Sequence, residues 1–405
     1  MIANSRISNI KEFKKLAGIE ENEEEHVGEI KYHHLLAHLM CNPPKQECWL
    51  GKCTDCPEPG LLAEKLEDIF QDLDIDHITY KQWESTDRTE LVTHTNSVSE
   101  FVEVIVQKLE ILKKHQFINC QQVEYLKQVK NLLLGEVLAF GDFSQNYAFI
   151  YQDAAQGVHW NNSSCTLHPW ITYYRGQDGE IKTFSLLIIS DCLTHETVQV
   201  YSFQKLLIEQ LKMKLEEEGL ILNKIEYGTD GCAKQYKNKK NLSNLAHHVE
   251  YFGVKAKWTF QATSHGKGPW NGLAGCVKRE AALETLRRPL EGQIQTPIEL
   301  YNFAKLKFKN IQVEFVSKED IEKVEKEILV ERFKETKTIK GTLGYHSFEP
   351  IDNNLTQLIA KQFSYSQEEN IVTVSKPTGL GVPQLSTRGR PRGRGARRGQ
   401  HSSLL

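Results

Sequence analysis

Two aspartates and four cysteines are the residues here whose types and spacing suggest chemistry. Asp142 closes the apolar run from Glu136 to Gly141, and Asp230 closes another in Tyr227-Gly228-Thr229-Asp230-Gly231. Metal-assisted phosphodiester chemistry commonly uses two divalent cations about 3.5–4 Å apart. Hard oxygen ligands carried on rigid elements must hold such ions. Two acids at strand ends meet part of that need, and a third is expected from a later helix. The competing role for each is the ordinary one of a strand-end Asp, capping a turn.

The cysteines offer a different chemistry. Cys41, Cys48, Cys53 and Cys56 fall within sixteen residues, spaced x6, x4 and x2, while the other five of nine are scattered. The last pair has zinc-knuckle spacing, and Gly51 allows a tight turn beside it. Four thiolates close a structural Zn2+ site. His33, His34 and His38 lie just upstream on a predicted helix and can replace one of them. Without a metal, the cluster would leave four reactive thiols together.

A third pattern lies at the C-terminus. Arg388, Arg390, Arg392 and Arg394 alternate with Gly and Pro in Arg-Gly-Arg-Pro-Arg-Gly-Arg. This resembles the AT-hook core, in which a thin extended backbone lets arginines enter the narrow minor groove of A·T-rich DNA. A generic arginine-glycine RNA-binding or nuclear-targeting tail remains the alternative. One copy predicts modest, salt-sensitive affinity. The formal net charge of −3 hides this asymmetry: beyond Ile371 there are seven Lys/Arg and no acid, so the preceding residues carry 43 basic and 53 acidic side chains.

The elements that must position these groups follow from composition and periodicity. With 405 residues, 40% hydrophobic and 25% charged, the chain has globular composition for two or three domains. No apolar run is long enough for a bilayer and none reads as a signal peptide, so a soluble, intracellular protein without a membrane partner is expected. Residues 1–31 are a charged segment, 32–60 the Cys-rich zinc knot, and 61–134 a helical region with apolar positions at helical spacing. Strands are predicted over Glu136–Asp142, Asn146–Tyr151, Leu167–Tyr174, Ile181–Ser190, Ile221–Tyr227 and Gly253–Phe260. Helices are predicted over Tyr201–Gly219, Lys234–His248 and Gly272–Arg288. This order over 135–290 is close to that of an RNase H-like fold. The expected class is α/β: an RNase H-like mixed sheet with flanking helices, after a helical Cys-rich region. A C-terminal α+β extension over 291–365 and a disordered basic tail over 366–405 complete it.

Longer stretches carry a more specific resemblance. Asp142-Phe143-Ser144-Gln145-Asn146-Tyr147, Asp230-Gly231-Cys232-Ala233-Lys234-Gln235-Tyr236-Lys237-Asn238 and Ala262-Thr263-Ser264-His265-Gly266-Lys267-Gly268 resemble transposon-derived DDE-type transposase-like proteins of animal genomes. So do Tyr80-Lys81-Gln82-Trp83 and Val158-His159-Trp160-Asn161-Asn162, and the likeness runs from about His33 to Phe315. The resemblance implies a nuclear DDE/D nuclease core that uses Mg2+ or Mn2+ to cut and join DNA. Asp142 and Asp230 would then be catalytic metal ligands. The sequence departs from the pattern at Asn271, in a stretch where an acid stands, and at Gln145, where Glu is common. An amide brings a neutral oxygen and no charge. The third ligand is therefore Asn271 or, from the same helix, Glu280, with Glu284 as a further option, and the site is a damaged one on this reading. Lys234, Lys237, Lys239 and Lys240 follow Asp230 and are expected at phosphates. His265 and Lys267 sit in a Gly-bounded loop facing the same end. The partners expected are DNA, with A·T-rich minor groove for the tail, and a homodimer as an option. Two functions follow: a DDE enzyme, or a relic that keeps zinc and DNA contacts without chemistry.

Overall fold

The computed structural model describes residues 32–151, 163–262 and 268–376. His265, Lys267, the stretch Val158–Asn162 and the four tail arginines lie outside the described residues.

The chain begins with helices α1 (Tyr32–Ala37), α2 (Gln46–Leu50) and α3 (Pro59–Asp72), then a hairpin, β1 (His77–Ser85) and β2 (Thr89–Ser97). Helix α4 (Val98–Leu126) starts on a capping box in which the Ser97 hydroxyl accepts from Glu100 N and the Glu100 carboxylate accepts from Ser97 N. The hairpin adds two strands within the expected helical region 61–134, between its two helical stretches. Its two strands pair from His77↔Ser97 to Ser85↔Thr89, burying Ile78 and Tyr80 on one face. That period of two is short and one-sided, so the helical pattern around it masked it. A second difference is that the first apolar run after Val98 and the start of the second, Val123 and Leu126, lie in one helix. The polar stretch between them contains no Gly or Pro to break it.

The remaining elements build one sheet. They are β3 (Glu136–Gly141), β4 (Tyr147–Ala148), β5 (Ser164–Arg175), β6 (Ile181–Ser190), α5 (Thr197–Glu216), β7 (Lys224–Thr229), α6 (Lys239–Ala246), α7 (His248–Phe252) and β8 (Lys255–Phe260). After them come α8 (Pro269–Arg287), α9 (Pro297–Lys307), β9 (Gln312–Val316), α10 (Lys318–Val324), α11 (Val330–Lys334), β10 (Ser347–Ile351), β11 (Asn354–Lys361) and β12 (Asn370–Thr373). The strand order is β12-β11-β10-β8-β7-β3-β5-β6-β9, with β4 pairing β5. Strands β3, β7 and β8 are mutually parallel, whereas β5 runs antiparallel to β3 and β6 antiparallel to β5. This is a mixed sheet with flanking helices.

Alternation along the strands explains why both faces are covered. Val137 and Ala139 of β3, and Leu186 and Ile188 of β6, join Val200, Phe203 and Leu207 of α5 in one core. The intervening Leu187 and Ile189 pack instead with Val277 and Ala281 of α8 and Leu300 and Ala304 of α9. The residues from 291 onward extend this sheet at both ends, and Phe348 and Leu358 share the first core. Residues 366–376 are also ordered, against the expectation of a tail from 366. Ile371 and Val372 pair with β11, so ladder hydrogen bonds supply what a weak apolar pattern did not announce.

The N-terminal module has its own core, from Leu35 to Leu109, and α4 joins it to the sheet. Near the far end of α4, buried Gln122 donates to Phe260 O (2.8 Å) and His346 O (3.3 Å) and accepts from Ser364 N (2.8 Å). One amide thus ties the helix to three separate segments.

Candidate functional site

Strands β3 and β7 lie side by side and in parallel, with Phe140 opposite Gly228. Asp142 and Asp230, each two residues further on, emerge together at the same sheet end. Glycine makes this end possible: a Cβ on Gly141 would overlap the Trp170 ring, and one on Gly228 would overlap Phe140. Burial pushes the Asp142 carboxyl up, the charge of Asp230 pushes it further, and the Phe143 amide only partly opposes them, leaving it at about 7. Burial also raises Asp230, against the amide of Cys232, which donates to its Oδ1 at 3.0 Å.

A polar and aromatic cluster that sequence reasoning missed lies beside the pair. The Phe143 ring stacks on His195 (4.4 Å, 21°) and meets His168 edge-on (4.5 Å, 88°). His195 Nε2 lies 2.7 Å from Asn146 Oδ1 and 3.1 Å from Thr166 Oγ1. Fully buried His168 holds the Tyr236 hydroxyl at 2.8 Å, and burial drives its pKa down to about 3, so it is neutral. The signal was present in Asn146 and Tyr236, both inside quoted motifs. His168 and His195, however, come from strand and loop positions 27 residues apart that only the sheet unites.

The third ligand does not assemble among the described residues. Asn271 Oδ1 accepts from Gly268 N at 2.9 Å, capping α8. Glu280 faces Lys307 at 3.6 Å, and Glu284 pairs with Arg288 at 2.9 Å. On the same helix, Lys278 donates through Nζ to the carbonyl of Gln145, three residues after Asp142. The helix therefore presents a cation to this loop. Among the described residues, the four cysteines are the only set of three or more His, Cys, Asp or Glu whose ligand atoms all lie within 4.8 Å of one another.

The lysines also divide. Lys237 is buried, donates to Leu343 O (3.1 Å) and lies over the Phe260 ring, so it serves the interior rather than a phosphate. Burial lowers its pKa to about 8. Lys240 lies over Phe333, Lys234 sits 3.8 Å from Glu196, and exposed Lys239 opens α6 behind the Asn238 cap.

The cysteine cluster is the more complete site. Cys41 Sγ is 3.9 Å from both Cys53 Sγ and Cys56 Sγ, and Cys48 is buried with the Lys45 amide 3.4 Å from its sulfur. Tetrahedral zinc with Zn–S bonds of about 2.3 Å requires S···S edges of about 3.8 Å. Gly51, in the left-handed region at φ 70°, turns the chain so that its amide bonds to Cys48 O and Glu47 O and Cys53 comes into place. Burial acts to raise the Cys48 thiol, but the Lys45 amide and the neighbouring thiols outweigh it and bring it to about 7. The four cysteines can hold a metal ion such as zinc.

Residues 122–364 match the family described as a domain of unknown function, DUF8701, and residues 7–113 match a second one, DUF8700. The chain belongs to the DUF8701 family. The boundary between the two matches falls inside α4, where the N-terminal core ends and the contacts to the sheet begin. No curated protein and no solved structure matches. No helix among the described residues is long and apolar enough to cross a membrane.

Proposed function

We propose that this chain is a nuclear DNA-binding protein descended from a DDE-type transposase, with an RNase H-like core whose nuclease chemistry is lost. One observation carries the reading: two acids share the ends of adjacent parallel strands in the order β6-β5-β3-β7-β8. In that order the first three strands in sequence are antiparallel and the next two parallel to the first, which is the arrangement expected of an RNase H-like sheet. The resemblance of the motifs around Asp142 and Asp230 supports the ancestry.

The donor set speaks against retained metal catalysis. A pair of dications needs several charged oxygens. Asn271 caps a helix, Glu280 is held by Lys307, and Lys278 brings positive charge to the Gln145 carbonyl in the loop after Asp142. Mg2+ or Mn2+ does not fit this set, and no catalytic step is assigned to it. Zinc, by contrast, fits Cys41, Cys48, Cys53 and Cys56. Bound there, it would join α1, α2 and the start of α3 and rigidify the module that precedes the sheet. The arginine-rich segment supplies an electrostatic contact to DNA, with A·T-rich minor groove as its preferred target.

The test pairs calorimetry with DNA assays. Wild type and Asp142→Ala are expected to give the same weak heats with Mn2+, and supercoiled plasmid should stay intact in Mn2+. A labelled duplex should bind and release steeply as salt rises. Tight Mn2+ binding abolished by Asp142→Ala, together with nicking, would restore the enzyme. Absence of duplex binding at low salt would remove the DNA-binding reading.

A further inference from the structure

A cavity of about 290 Å³ opens between α4, the ends of β3 and β8, and the start of α8. It adjoins the acid pair along the chain. Phe140 in its wall is two residues before Asp142, and the main-chain N–H of Gln261, also in its wall, donates to Thr229 O, next to Asp230 (2.9 Å). Ligands of open α/β sheets gather beyond the carboxyl ends of parallel strands, where this cavity lies.

The walls are of two kinds. Phe140 and Trp270 stack in parallel (5.2 Å, 6°), and Tyr173 meets Phe140 edge-on. Three other lining groups are polar: Asn119 Oδ1, Gln261 Oε1 and Trp270 Nε1 are buried without a hydrogen-bond partner among the described residues. Buried polar atoms are normally paired, and each orphan costs roughly 1–3 kcal/mol. Three around one cavity point to a guest that brings partners. A guest matching both walls is a flat ring carrying at least one donor for the amide oxygens and one acceptor for the indole. The volume is at the small end of ligand sites, enough for one ring system. Among the described residues the one cation in the wall is Lys127, whose side chain is 68% exposed, so a phosphate would stay at the rim.

We propose that this cavity receives a single nucleobase, unstacked from a DNA strand whose backbone passes Asp142 and Asp230. The proposal rests on the DNA-binding reading and adds the part of the ligand that this cavity recognises. Taking a base out of its stack costs a few kcal/mol, recovered by aromatic and hydrogen-bonding contacts in a fitted pocket.

The full chain is titrated with labelled single-stranded hexanucleotides, intact or with one abasic position stepped along the strand, and separately with adenosine and thymidine by tryptophan fluorescence. The variants are Gln261→Leu, which removes an unpaired acceptor, and Val123→Phe, which fills the cavity from a half-exposed helix position. One abasic position, and each variant, should weaken hexanucleotide binding roughly tenfold. Thermal unfolding of Gln261→Leu should be unchanged or later, since no hydrogen bond is lost. Equal affinity for intact and abasic strands, with both variants unaffected, overturns the pocket and leaves DNA binding standing. Nucleoside binding without strand binding overturns DNA as the source while keeping the heteroaromatic site. Binding of neither overturns both.

Discussion

The cysteine cluster and the aspartate pair are both candidate metal sites, yet among the described residues only the cysteines form a complete set of donors. All four cysteines come from a 16-residue stretch, so one tight turn at Gly51 and short helices bring them together. The acids come from strands 88 residues apart in sequence and depend on a helix still further along to add a third. That helix delivers Asn271 to a cap and Lys278 to a carbonyl. A local site survives as long as its own segment folds. A distributed site loses function when any one contributor changes, while its scaffold persists.

The contrast can be broken most forcefully by removing metal. Chelation, or Cys48→Ser, should unfold residues 32–112 and leave the sheet cooperative, since binding at structural zinc sites contributes on the order of 10 kcal/mol. Calorimetry with limited proteolysis should show early loss of the N-terminal module alone. Loss of both together would show that the two cores are one unit.

Gln122→Leu probes the joint between them. It strands Ser364 N and removes donors from Phe260 O and His346 O, and should cost about 3 kcal/mol in urea denaturation.

Asp142→Asn tests the acid pair with opposite sign. Because the folded carboxyl titrates at about 7, above its unfolded value, the folded state holds its proton longer and stability falls as pH rises from about 4 through 7. The variant should therefore gain roughly 2 kcal/mol at pH 8, after allowing for solvent screening of a half-buried group, and nothing at pH 3. A loss at pH 8 would mean that a cation or an unrecognised partner stabilises the carboxylate.

The smallest effect is expected for Asn271→Asp. A carboxylate at the third residue of α8 keeps the cap and adds about 0.5 kcal/mol from the helix dipole. Mn2+ affinity by calorimetry should not change. A large rise would show that this position still serves the pair.

Local and periodic features were legible in the sequence: the cysteine spacing, the strands ending at Asp142 and Asp230, the strand at Ile181–Ser190 and the helix from Gly272. Features created by pairing were not. The hairpin at His77–Ser97 buries little of either strand, and β12 is held by β11 rather than by its own pattern. Lys237 read as a phosphate ligand because lysine clusters usually face water, yet its stem and ammonium are enclosed by Leu343 and Phe260. His168 and His195 carried no motif.

By itself, the sequence determined which residues offer metal-ligand chemistry or clustered positive charge and the alternation that makes a sheet covered on both faces, since residue type and period are properties of short segments. The tertiary structure decided which of those residues meet. It joined Asp142 to Asp230 through a parallel strand pair, assigned Glu280 to Lys307, and brought Asn119, Gln261 and Trp270 around one cavity. Such meetings depend on register and packing between distant segments, which no local pattern encodes.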